Sequence, residues 1–213
     1  NTGAYTLKVQ VLDSAGNVGT ASSATLNMIL DTTAPSLHGT TLPAVSYTTV
    51  AGAQGNSVGE SIVLTITFDS PSKRNALEPA MREELAVALQ HIQQDRSIRA
   101  VILTGAGGHF CSGGDLKNIA TANLDNGGWL LRMQTLHAWL QVLLTLDRPV
   151  IAAVDGAAAG AGFSLALSAD FVLATPRAWF NMSFLKVGLV PDVGALYTLP
   201  RVVGVQRAKE IML

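Results

Sequence analysis

Cysteine occurs once in the 213-residue chain, at position 111. A single cysteine excludes an internal disulfide and a cysteine zinc cluster; it fits a reducing compartment, so a cytoplasmic location is expected. Histidine is scarce too, and His38, His91, His109 and His137 show no metal-ligand spacing, so no metal site is expected. Only 14% of residues are charged and the net charge is −1. That balance offers no surface for nucleic acid and no polybasic patch for a membrane. No apolar run reaches membrane-spanning length, because the long apolar region after Pro149 is interrupted by Asp155, Ser164, Ser168 and Asp170. The start of the chain lacks a signal-peptide pattern and an initiator methionine, and Asn1 reads as an internal cut. What is plentiful is apolar: 48% of residues, enough to build a sizeable core in one large domain or two small ones.

Residues 1–36 differ from the rest, being rich in Thr, Ser, Gly and Asn. Tyr5, Leu7, Val9 and Val11 alternate with polar residues, the pattern of a half-buried strand. Asp13-Ser14-Ala15-Gly16-Asn17 reads as a turn, and a second strand is expected over 24–30. Residues 37–60 read as a glycine-containing linker with a first edge strand at 45–50. From Ser61 the pattern strengthens. Ile62, Leu64, Ile66 and Phe68 alternate along a strand that ends at Asp69-Ser70-Pro71. Glu78-Pro79 opens a helix, since proline is accepted in a first turn, and Leu85, Leu89 and Ile92 recur at helical spacing through Gln93. Another strand covers 100–103 and leads into a glycine turn. This alternation argues for an α/β domain.

The stretch around which the domain is organised runs over 149–170, PVIAAVDGAAAGAGFSLALSAD. Val150 to Val154 reads as a buried strand, broken by Asp155-Gly156. Six small residues follow, and from Phe163 the spacing turns helical. The expected unit is strand, tight small-residue turn, helix N-terminus, where free amides welcome a developing anion. Close packing of a helix on a strand is the plainer explanation of the same small residues. A second loop of this kind follows the strand at 100–103, in LTGAGGHFCSGGDL. Its glycines miss the dinucleotide fingerprint, because Phe110 stands where glycine is needed, and no Gly-Lys-Ser/Thr marks a phosphate loop. Gly162-Phe163-Ser164-Leu165-Ala166 mimics a nucleophile elbow, but no histidine follows His137 to complete a triad.

RNAL at 74–77, HFCSGGDL at 109–116, RPVIAAVDGAAAGAGFSLALSAD at 148–170 and KVGLVPDVGALYTLPRVVG at 186–204 resemble, in order and spacing, the motifs of the enoyl-CoA hydratase/isomerase (crotonase) family. The likeness covers 61–213. It implies a crotonase-type spiral of ββα units, C-terminally truncated at Leu213 and usually assembled as a homotrimer or hexamer. YTLKVQVLDSAGN and DTTAPS resemble parts of bacterial immunoglobulin-like repeats, which makes residues 1–36 a short β-hairpin from a neighbouring domain; a two-stranded extension of the main domain is the alternative.

The crotonase resemblance implies an acyl-CoA thioester substrate, with coenzyme A part of the substrate and no tightly bound cofactor. It places the two oxyanion-hole amides at Ser112 and Ala161. The positions of the paired glutamates of hydratases fall on Ser164 and Phe184, neither of which moves a proton at neutral pH. The acid after Leu189-Val190-Pro191 is Asp192, as in isomerase members of the family. A carboxylate flanked by Val190, Pro191 and Val193 is expected to be desolvated and raised toward the range of a general base; a loop carboxylate capping a turn is the alternative. Lys73 and Arg74, with Ala76, Asp115 and Leu116, fall at the coenzyme A site, a solvated surface pair being the alternative for the two cations. Trp129 and Met133 fall over the acyl pocket, although Trp129, Met133, Leu136 and Trp139 also read as an ordinary core stripe. The leading expectation is an enoyl-CoA isomerase with Asp192 as acid/base. The alternatives are a hydratase, a thioester hydrolase or a dehalogenase with Asp192 as nucleophile, and an inactive truncated scaffold.

Overall fold

The structure, a computed structural model, describes residues 5–7, 26–28, 45–51 and 62–213. The chain divides into two units, Asn1–Ser36 and Leu37–Leu213. In the first, β1 (Tyr5–Leu7) pairs antiparallel with β2 (Leu26–Met28), Tyr5 opposite Met28. The turn expected at 13–17 and most of the immunoglobulin-like words lie outside the described residues, as does the expected linker over 52–60.

The second unit opens with β3 (Val45–Ala51), antiparallel to β4 (Ile62–Phe68) along its whole length. Residues 45–51 are therefore an edge strand of the main sheet, where an edge strand was expected over 45–50. Helix α1 (Pro79–Gln94) follows, with proline in its first turn, and then β5 (Ile98–Gly105), which runs two residues beyond the expected strand at each end. After α2 (Leu116–Thr121) and α3 (Asn126–Leu144) the chain enters β6 (Val150–Val154). Two ββα units close the described chain: β6, β7 (Ala157–Ala159) and α4 (Ala161–Leu167); then β8 (Phe171–Ala174), β9 (Trp179–Asn181) and α5 (Ala195–Val203), with α6 (Val205–Met212) last.

The main sheet has the order β3-β4-β5-β6-β8, parallel from β4 onward. A smaller parallel sheet pairs β7 with β9, and Cys111 joins its other side through a bridge to Ala158. Each turn of the chain thus adds one strand to the large sheet and one segment to the small one. Ala157–Ala159 was expected as a turn and is a strand. Alanine has little strand preference of its own, and here the pairing partners on both sides decide its conformation.

The core lies between α1 and the main sheet. Leu64, Ile66 and Phe68 of β4 face Met81, Leu85, Leu89 and Ile92 of α1, all buried. Phe68 meets Phe110 edge-on, ring centroids 5.6 Å apart, which ties the sheet to the loop after β5. Arg148, 8% exposed, donates to the carbonyls of Ile92 (2.6 Å), Asp95 (2.9 Å) and Ile98 (3.0 Å). A buried guanidinium thereby satisfies the free carbonyls at the end of α1 and fixes the entry to β6.

Asn75 holds the loop before α1. It is fully buried in the left-handed region, φ 56°. Its Oδ1 accepts from the Ser70 amide (2.9 Å), and its Nδ2 donates to the carbonyls of Ala106 (2.9 Å) and His109 (2.7 Å). Asn75→Ala removes three hydrogen bonds, orphans buried backbone groups and leaves alanine in a conformation it disfavours. The expected loss is about 2–4 kcal/mol, read as a lower urea midpoint at unchanged m-value; an unchanged midpoint would show that water replaces these contacts.

Candidate active site

The two loops picked out in the sequence meet because Cys111 and β7 are neighbours in the small sheet. Cys111 N–H donates to Ala157 O, and Ala159 N–H donates back to Cys111 O, each at 3.0 Å. The register brings residues 112–114 alongside 159–161. A Cβ built on Gly113 would lie 2.7 Å from Ala159 O and 3.4 Å from Ala161 N. Gly160 carries the turn into α4 with φ 51° and ψ −122°, a conformation open in practice to glycine alone. The next residue, Ala161, is the first of α4, so its N–H has no partner within the helix. It has the negative φ that a residue with a Cβ requires, as it is absent from the positive-φ residues.

The resemblance put the other hole amide on Ser112, and here the structure differs. Ser112 N–H donates to Arg74 O at 3.0 Å and is already used. Two residues on, Gly114 lines the same cavity, and its amide has no acceptor among the described residues. Among the described residues, the lining amides of Gly114 and Ala161 have no acceptor. The sequence carried a faint signal for this, the second glycine directly before Asp115. The acceptor that engages the Ser112 amide is a carbonyl 38 positions away, which no local pattern reveals.

These residues line a cavity of about 80 Å³ together with Ser112, Gly113, Leu116, Ile119, Gly160, Ser183, Phe184, Val187, Leu189 and Asp192. Asp192 follows the short turn Leu185–Val187 and precedes α5. Its Oδ1 is buried and has no hydrogen-bond partner among the described residues. Burial pushes the carboxyl above its ordinary 3.8, against the opposing pull of His137, Arg82 and its own backbone amide. The setting is less purely apolar than the neighbours in sequence suggested, yet desolvation still dominates. Its own backbone carbonyl accepts from Ala195 N–H at 3.1 Å, so this turn is closed through the main chain.

Phe184, only 6% exposed, reaches this cavity, close to Gly160. Ser164 does not: it is fully buried, and its hydroxyl donates to Gly160 O at 3.2 Å beneath the turn. It is a packing residue that braces the hole from behind, which also removes it as a nucleophile. Trp129 and Met133 do not line the cavity either. Met133 packs on the core, and Trp129 stacks with Arg132, whose guanidinium carbon is 5.3 Å from the ring centroid. α3 turns its buried stripe, Leu136, Trp139, Leu140 and Leu143, inward, and those two residues sit at its margin.

At the mouth, the carbonyls of Lys73 and Arg74 both hold Ser112, through its hydroxyl (3.1 Å) and its amide. Lys73 Nζ pairs with Glu78 and lies 3.9 Å from Asp115. Arg74 is exposed and has no acidic partner among the described residues. Ala76 is buried, and Asp115 caps α2 by accepting from Asn118 N–H at 3.1 Å. Leu116 is 52% exposed on the cavity rim. Ile119 and Val187, also on the lining, carried no sequence signal, being isolated apolar residues outside any periodic run. Among the described residues no cluster of three or more His, Cys, Asp or Glu is placed to hold a metal ion, and no helix is long and apolar enough to cross a membrane.

The family profile described as Enoyl-CoA hydratase/isomerase matches residues 58–213. A probable enoyl-CoA hydratase of Rhodobacter capsulatus is 46% identical over 148 residues, 70% of this chain and 56% of that protein. The 1,2-epoxyphenylacetyl-CoA isomerase of Escherichia coli is 40% identical over 159 residues, 72% of this chain and 60% of that protein. The crystal structure of an enoyl-CoA hydratase/isomerase from Cupriavidus metallidurans superposes with a TM-score of 0.70 at 39% identity, covering 82% of this chain and 62% of that one. The chain thus spans somewhat over half the length of the relatives it matches. The match over most of the chain, with the same α/β fold, makes this chain a member of the enoyl-CoA hydratase/isomerase family.

Proposed function

We propose that the chain forms the catalytic half of an acyl-CoA isomerase that moves a carbon–carbon double bond through an enolate. The observation that carries this reading is one cavity lined by a carboxylate whose buried Oδ1 has no partner among the described residues, Asp192, and by two amides with no acceptor among them, Gly114 and Ala161. Asp192 takes a proton from the carbon next to the thioester or from the vinylogous one. The thioester oxygen becomes an oxyanion and is held by the two amides, each such donor contributing on the order of 3–4 kcal/mol to the transition state. The same carboxyl then returns the proton at the other end of the dienolate. One carboxyl suffices for this transfer. Water addition calls for a second acid or base, and Ser164 is sealed beneath the turn while Phe184 has no proton to give.

Arg74 and Lys73, beside Ser112, are the candidate contacts for coenzyme A phosphates, and Leu116, Ile119, Phe184, Val187 and Leu189 offer the acyl group an apolar wall. A homotrimer or hexamer belongs to the same reading. Phe171, Trp179 and Tyr197, 60%, 49% and 58% exposed on β8, β9 and α5, are large apolar surfaces of the kind that subunit contacts cover.

The test is conversion of a 3-enoyl-CoA to the conjugated 2-enoyl-CoA as a function of pH. A general base works only when ionised, so the rate falls as pH drops through its pKa. Because burial raises the Asp192 carboxyl, the acid limb is expected above the ordinary 3.8. A limb at or below that value, or the absence of isomerisation, would sink the assignment.

A further inference from the structure

Three of the side chains that line the site cavity can form hydrogen bonds: Ser112, Ser183 and Asp192. The Ser112 hydroxyl is spent on Lys73 O at 3.1 Å, and Asp192 is the proposed base. The Ser183 hydroxyl is left over, with no hydrogen-bond partner among the described residues. The end of β9 sets its place. Gly160 N–H donates to Asn181 O at 2.8 Å, which seats that strand end against the turn into α4. Met182 is 5% exposed, and its Sδ lies 4.0 Å from Ser164 Oγ beneath the turn. Ser183, the next residue, is half-buried on the cavity wall. Its Oγ lies 3.5 Å from the point that a Cβ on Gly160 would occupy, and the next atom, Phe184 Cζ, is 4.0 Å from that point. Gly160 directly precedes Ala161, so the free hydroxyl stands beside the residue that leads the chain into the Ala161 amide.

We propose that the Ser183 hydroxyl is a third hydrogen-bond donor to the thioester oxygen, joining the amides of Gly114 and Ala161 as charge develops there. An enolate oxygen has lone pairs for more than two donors, and between apolar walls each added donor counts for more than it would in water. The hydroxyl donates its hydrogen and keeps its proton, so Asp192 remains the group that moves protons. It also turns about a single bond, so it can follow the oxygen as the carbonyl becomes an enolate. A neutral thioester carbonyl is a weaker acceptor than the enolate oxygen. The donor therefore stabilises the transition state more than bound substrate, which raises kcat and leaves KM nearly unchanged. This role rests on the enolate reading, whose hole it extends from two donors to three.

Bind butanoyl-CoA carrying 13C at the thioester carbonyl, which has no double bond to move, to the parent, Ser183→Ala and Ser183→Thr. Record the carbonyl stretch by isotope-edited infrared spectroscopy, and measure isomerisation of a 3-enoyl-CoA beside it. A donor on the carbonyl oxygen lowers the stretching frequency, so Ser183→Ala is expected to raise it and Ser183→Thr, which keeps the hydroxyl, to hold the parent's value. In Ser183→Ala, kcat should fall about 10–100-fold with KM within about twofold, and Ser183→Thr should recover most of the turnover. An unmoved frequency in folded Ser183→Ala overturns the proposal even where the parent isomerises. So does a threonine variant that matches alanine, and so does loss of folding in Ser183→Ala, which would make Ser183 a packing residue. A parent that shows the frequency difference without isomerising overturns the isomerase reading and leaves the third donor in place. A parent that binds no thioester overturns both.

Discussion

Asp192→Asn is expected to lower isomerase turnover by about 10²–10⁴-fold while thioester affinity stays close to that of the parent. Asparagine keeps the shape of the side chain and its place on the cavity wall, but it cannot accept a proton at any working pH. The amides of Gly114 and Ala161, the proposed hole, remain, so the proposed enolate-stabilising part of the site is untouched and binding of the ground-state thioester has no reason to weaken. The measurement is formation of the conjugated thioester from a 3-enoyl-CoA, with hydration of crotonyl-CoA run beside it. Hydration should be slow in both proteins, since Ser164 and Phe184 supply no second acid. Unchanged isomerisation would take Asp192 out of the mechanism, and fast hydration by the parent would overturn the isomerase reading. A carboxylate acting instead as a nucleophile on the thioester carbonyl would expel coenzyme A as its thiolate and leave an acyl anhydride on Asp192, visible as added mass on the quenched enzyme; proton transfer leaves none.

Gly162→Ala is expected to cost about 3 kcal/mol or more of stability and to disable the site at the same time. The added Cβ would fall 2.1 Å from Cys111 O and 2.8 Å from Cys111 C. Both are main-chain atoms of the segment that bridges to β7, so nothing flexible is available to give way. α4 would have to lift from the small sheet, and Ala161, one residue earlier, would move with it away from Gly114. The urea midpoint should fall, and whatever folded protein remains should show weaker turnover at nearly normal thioester binding. A variant with the parent's midpoint would mean that the close contact between α4 and residue 111 can relax.

Local patterns in the chain were sufficient for much of this. The alternation at Leu64, Ile66 and Phe68 marks β4, the spacing of Leu85, Leu89 and Ile92 marks α1, and Val150 to Val154 marks β6 to the residue, because each signal is carried by neighbours a few positions apart. The small-residue run at 157–162 and the carboxylate at Asp192 were legible as candidate chemistry for the same reason. What folding alone decided is which polar groups remain free once the segments meet. Ser112 loses its amide to Arg74 O, and Ser164 loses its hydroxyl to Gly160 O and all exposure with it. Trp129 and Met133 are kept off the cavity by the way α3 turns its buried stripe. Asn75, one residue of a four-letter motif, becomes the anchor of the loop between Ser70 and His109. Whether an amide is spent or available depends on which distant carbonyl arrives opposite it, and a register of one residue in the pairing of Cys111 with Ala158 sets that for the whole site.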